Sequence, residues 1–190
     1  ATSVPLMQIS QPGQSAPAAG FDDPFGMLEA CHERVARMLR LIIRLQEHLQ
    51  EKGLDEPVRQ AARDVMRYFD LAAPMHHEDE ERHVLPVLRA VGQAAIADAL
   101  QADHIQMSAD WAAIRADLQK IQQHIGLTGA EMEAAGKRWH AFSALYAKHI
   151  QREEASAYPE VLRHLSTTQL NAMGQDMATR RGVTHPTFPS

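Results

Sequence analysis

Two stretches of the chain place a histidine four residues before a glutamate and ten before a proline. His76 precedes Glu80 and Pro86, His149 precedes Glu153 and Pro159, and adding 73 carries one set onto the other. On a helix a step of four residues turns through about 400°, which leaves the two side chains about 40° apart and about 6 Å along the axis. Both then point at one target. An imidazole and a carboxylate so placed can bind one first-row transition metal, and the second carboxylate oxygen is available to a neighbouring ion. The repeated motif therefore points to a metal, with one ion or two both compatible with it. Cys31 is the only cysteine, which excludes a thiolate cluster and an internal disulfide, whereas there are 11 histidines beside 19 Lys plus Arg. The expected ligands are nitrogen and oxygen.

Helices must carry these residues, and the punctuation of the chain supplies them. Asp22-Asp23-Pro24 opens a first helix whose stripe is Phe25, Leu28, His32, Val35, Leu39 and Ile42. Gly53 closes it and Asp55-Glu56-Pro57 opens a second, with Ala62, Val65, Phe69, Ala73, His76 and Glu80 on one face. Pro74 is expected to kink this helix before the motif, and Pro86 to kink or end it beyond. A third helix starts near Gly92 and carries Leu100, His104, Met107, Trp111, Ile114, Leu118, Ile121 and Ile125. Thr128-Gly129-Ala130-Glu131 reads as a capping box for a fourth, through Phe142, His149 and Glu153 to about Leu165. A short amphipathic segment capped by Ser166 or Thr167 follows, and Arg180 to Ser190 reads as a loose end.

The echo extends beyond the motif. Adding 72 maps Leu28, His32 and Ile42 onto Leu100, His104 and Ile114, and adding 73 maps Ala62 and Phe69 onto Ala135 and Phe142. The expected fold is all-α: an up-down-up-down four-helix bundle over residues 21–165 with a pseudo-twofold axis and a short extra C-terminal helix within 166–190. The Pro-, Gly- and Ser-rich residues 1–20 are expected to form a flexible tail. His32 and His104 lie early in their helices and His76 and His149 late in theirs, so antiparallel packing brings all four to one level. Burying four imidazoles and two carboxylates there without compensation would cost several kcal/mol, and a cation removes the conflict.

Composition narrows the remaining classes. A length of 190 residues fits one domain with a sizeable core. A net charge of −5 gives no support to nucleic-acid or membrane-surface binding. No apolar run approaches the roughly 20 residues of a membrane span, no secretory signal is visible, and a cytoplasmic protein is the simplest expectation.

A lone His on helix one, His-x-x-x-Glu before a Pro on helix two, a lone His on helix three and His-x-x-x-Glu before a Pro on helix four together resemble the hemerythrin-like, HHE cation-binding family. The resemblance covers about Asp22 to Leu165. It implies a non-haem centre of two Fe ions bridged by an oxo or hydroxo group, with His32, His76, His104 and His149 as terminal ligands and Glu80 and Glu153 as bridges. Zn, Mn or Ni can occupy such a nitrogen and oxygen site in recombinant protein. Oxygen-carrying hemerythrins differ in having His-x-x-x-His on the third helix, where this chain has Ser108 four residues after His104. That departure argues against simple reversible oxygen carriage.

His77 and Glu81 satisfy the same spacing, but the register of Pro86 with Pro159 selects His76 and Glu80, with rotation at Pro74 as the route to the other pair. Glu78, Asp79, Glu81 and Glu154 read as a solvated face, with Glu81 or Asp103 as possible hydrogen-bond partners of a ligand histidine. Phe69 and Phe142 are placed to wall the site, Cys31 reads as a small core thiol, and His48, His124, His140, His164 and His185 fall off the stripes. Three functions are compatible with this reading. The first is binding or sensing of a diatomic ligand, O2 or NO, or handling of iron. The second is an enzyme for NO or peroxide reduction or iron-sulfur centre repair, which needs an electron donor protein. The third is a structural or regulatory bundle with Zn or no metal.

Overall fold

The computed structural model describes residues 20–183, all of whose long elements are helical. The first rod is α1, Pro24–Lys52. Asp23 caps it by accepting from Gly26 N at 3.1 Å, and Gly53 ends it with a φ of 77° that a Cβ would strain. The second rod is built from α2 (Glu56–Arg67), a π segment (Tyr68–Ala72), α3 (Ala73–His83) and α4 (Leu85–Ala90). The third is α5, Ala94–Gln122. The fourth runs through α6 (Gly129–Arg152), a π segment (Glu153–Ala157) and α7 (Tyr158–Arg163), and α8 (Thr167–Arg180) follows it. Each rod packs on the next and the fourth closes on the first, giving a four-helix bundle with an added C-terminal helix. Among the described residues no helix is long and apolar enough to cross a membrane.

The prolines act in a more specific way than a kink. Ala73 N–H reaches back to Tyr68 O, and Tyr158 N–H to Glu153 O, each one residue before a proline. The five-residue step opens the ladder where Pro74 and Pro159 lack a donor and would crowd a carbonyl. Before Pro86 no π turn opens; α3 breaks at Val84 and α4 follows directly. Val84 takes φ −103°, its N–H still bonds Glu80 O, and the rod resumes to Ala90.

Two caps differ from the sequence reading in detail. Thr128 accepts from Glu131 N at 3.2 Å, but the Glu131 carboxylate pairs with Lys120, so only half of the expected box forms. The full reciprocal box is at Ser166 and Gln169, which fixes Ser166 as the cap of α8.

The apolar core is in two parts. One contains Val35, Ala73, Met107, Phe69, Phe142 and Trp139, and the other Phe25, Leu28, Val84, Leu100 and Val161. Met173 and Met177 of α8 join the second. On each rod the candidate ligands fall between residues of the two parts: His32 between Leu28 and Val35, His104 between Leu100 and Met107. A polar layer thus divides the core.

Residues 1–19 and 184–190, including His185 and nearly all of the expected tail, lie outside the described residues. Arg180 and Arg181 are not part of a loose end. Both pair with Asp79, which is wholly buried and not on a solvated face; Arg181 Nη2 stands 2.6 Å from Asp79 Oδ2. A carboxylate beside α8 is sheltered from water by the helix that supplies its partners, and it needs both.

Candidate metal centre

His32 of α1, His76 and Glu80 of α3, His104 of α5, His149 of α6 and Glu153 at the start of the second π segment meet in the polar layer. None is more than 7% exposed. Their inward atoms form two groups, each within 4.8 Å across: His32, His76, Glu80 and Glu153, and His104, His149, Glu80 and Glu153. Both carboxylates belong to both groups. His149 Nε2 stands 2.8 Å and His32 Nε2 3.3 Å from Glu153 Oε1, while His76 Nε2 stands 3.2 Å and His104 Nε2 3.4 Å from Glu80 Oε1.

The outer ring nitrogens fix which nitrogen faces inward. His32 Nδ1 donates to Glu154 at 2.9 Å, His104 Nδ1 to Glu81 at 3.2 Å and His149 Nδ1 to Asp103 at 2.9 Å. With the proton held on Nδ1, the Nε2 lone pair is left for a cation. The sequence reading placed both Glu81 and Glu154 on a solvated face, with Glu81 or Asp103 as the alternative partner of a ligand histidine; Glu154, the image of Glu81 under the step of 73, was not offered as one. Tyr158 was missed altogether. Its hydroxyl donates to Glu80 Oε2 at 2.8 Å and stands 3.1 Å from His32 Nε2. The repeat gave no signal for it, because the equivalent residue is Leu85.

The second His-x-x-x-Glu pair, His77 and Glu81, belongs to neither group. His77 stacks on His104 with centroids 4.1 Å apart, and Tyr146 donates towards its Nε2 at 3.5 Å. Glu81 is half exposed. Ser108 is exposed as well, so α5 brings His104 alone to the layer. Phe69 and Phe142 are buried against each other beneath it, with centroids 5.3 Å apart. His124, His140 and His164 are exposed, whereas His48 is half-buried and bonded to Asp55 at 2.7 Å.

The donor set fits a cation. Glu80 Oε1, both oxygens of Glu153, His104 Nε2 and His149 Nε2 are buried without a hydrogen-bond partner. Orphaned buried groups cost about 1–3 kcal/mol each, and these converge on one another as acceptors. Electrostatics agree. Burial pushes the Glu80 carboxyl up, but His76 and His104 more than offset this and hold it well below the usual range. Burial pushes His76 down, yet Glu80 raises it to about 10, so positive charge is favoured here. Burial keeps His32 and His149 below the ordinary imidazole value and hence neutral as ligands. Beside the layer is a cavity of about 10 Å³, lined by Cys31, Tyr68, His76, His77 and Tyr146 among others. It has room for about one water-sized guest.

The hemerythrin HHE cation binding domain matches residues 23–165. The chain belongs to the hemerythrin family. An uncharacterized protein of Haemophilus influenzae is 31% identical over 180 residues, spanning 93% of this chain and 99% of the relative. In this hemerythrin-family chain the matched segment contains all six inward-facing residues, and family and cluster together point to metal binding, with iron the indicated metal.

Proposed function

We propose that the protein holds two irons in the polar layer and binds a diatomic ligand, O2 or NO, as a sensor, scavenger or store. The carrying observation is the pair of four-residue groups that share Glu80 and Glu153. Each group offers two imidazoles and two carboxylate oxygens, the mixed nitrogen and oxygen set suited to first-row metals. Ferrous iron held by these residues would supply the electron-rich centre that a diatomic ligand needs.

The chain's own residues set the conditions for that chemistry. Glu154, Glu81 and Asp103 hold three of the rings in one tautomer. Tyr158 keeps a proton close to Glu80 Oε2, because burial and the neighbouring Glu80 charge raise its phenol well above its ordinary value. The two apolar core parts on either side of the layer exclude bulk water. The cavity beside Cys31 and Tyr68 adjoins the layer at His76 and Glu153 and leaves room there for a small guest.

The test is spectroscopic. Protein loaded with ferrous iron under anaerobic conditions is exposed separately to O2 and to NO, and a new visible absorption band is expected with at least one gas. A spectrum unchanged by both removes the diatomic-ligand reading.

A further inference from the structure

The internal echo pairs Cys31 with Asp103, since the step of 72 that carries His32 onto His104 also relates the residues just before them. The same symmetry relates Glu154 to Glu81 and His149 to His76. Three of the four outer-nitrogen pairings it requires are carboxylates: Glu154 with His32, Glu81 with His104, and Asp103 with His149. The fourth would join His76 to Cys31. His76 is 7% exposed, and its Nδ1 is the one outer nitrogen of the four without a hydrogen-bond partner. Cys31 is buried and lines the same small cavity, with Arg34 donating to its Sγ at 3.4 Å. The thiol interacts with the His76 ring but does not reach hydrogen-bond geometry.

We propose that Cys31, by standing behind His76 where the other half of the bundle has a positioning carboxylate, makes the His32/His76 metal position the weaker of the two. A carboxylate on the outer nitrogen orients the ring and raises its basicity as a ligand, and loss of such a partner typically costs 10–100-fold in metal affinity. A thiol is a weak acceptor and does neither well. The His104/His149 position, with Glu81 and Asp103 behind its rings, fills first. This inference rests on the two-metal reading.

Stepwise titration of metal-free protein with Co2+, followed by visible absorption and by stoichiometry, tests it. The wild-type protein is expected to take two equivalents in two resolved steps. Repulsion between neighbouring ions also separates the steps, so the direction of change in the variants decides. Cys31→Asp is expected to strengthen the weaker step by about tenfold or more, a gain that a purely structural thiol would not produce. Asp103→Cys is expected to weaken the stronger step by a similar factor, which keeps the test open if Cys31→Asp fails to fold. Two folded variants with both steps at their wild-type affinities overturn the role of Cys31 alone. Fewer than two equivalents on the wild-type protein overturns the two-metal reading and this inference together.

Discussion

Tyr158 donates its phenolic proton to Glu80 Oε2 at 2.8 Å, joining the residue after the second π segment to the carboxylate of the opposite half. The hydroxyl is the hydrogen-bond partner of that oxygen, and both residues are almost completely buried. Tyr158→Phe preserves the ring's packing on Phe25 but leaves Glu80 Oε2 without a donor. Urea unfolding of metal-free protein is expected to show a loss of about 1–3 kcal/mol. Unchanged stability would mean that the bond contributes nothing beyond packing.

The shared carboxylates separate the two possible registers of the second rod. Glu80→Ala and Glu153→Ala each remove a donor common to both groups, so bound metal is expected to fall from two ions per chain to one or none. Glu81→Ala removes only the partner of His104 Nδ1, and is expected to retain two ions with affinity reduced about 10–100-fold. Equilibrium dialysis with elemental analysis distinguishes these outcomes, and the opposite ranking of Glu80 and Glu81 would restore the alternative register.

Asp79 ties α8 to the bundle through Arg180 and Arg181. Asp79→Ala leaves two largely buried guanidinium groups without their common partner, an arrangement that costs about 3–5 kcal/mol when a buried pair is broken. Denaturant unfolding is expected to show a loss of this order while metal stoichiometry stays at the wild-type value. A loss below about 1 kcal/mol would place the cluster among surface ion pairs.

The acid limit of stability is linked to the same helix. Partial burial pushes the Asp176 carboxyl up, but hydrogen bonds from His83 and Arg180 more than offset this and hold it below the ordinary 3.8. A depressed carboxyl stabilises the fold above its unfolded value and loses that contribution as pH falls from 3.8 through the folded value. Urea midpoints measured from pH 5 downwards are expected to fall less steeply for Asp176→Asn than for wild type across that window. Parallel curves would remove Asp176 from the acid response.

The bundle and the six inward residues are legible in the sequence because both depend on helical period and on an internal repeat, which are local signals. His76 and Glu80 face the layer together, as the register of Pro86 with Pro159 requires. Asp79 was not legible, since its burial depends on Arg180 and Arg181 about a hundred residues away. Glu154 was read as solvated because it is in fact half exposed, and its bond to His32 is visible only once the rods are packed. The π segments before Pro74 and Pro159 were likewise hidden, because a proline in a helix predicts disruption without saying whether the ladder bends, stops or lengthens by one residue.

The most direct measurement is the metal content of the protein purified from its own host, by elemental analysis against quantified chain. Two irons per chain, with the content reduced in His76→Ala and in His149→Ala, is the expected result. Zinc in place of iron, no stoichiometric metal, or two irons retained in both variants would contradict a di-iron centre built on Glu80 and Glu153.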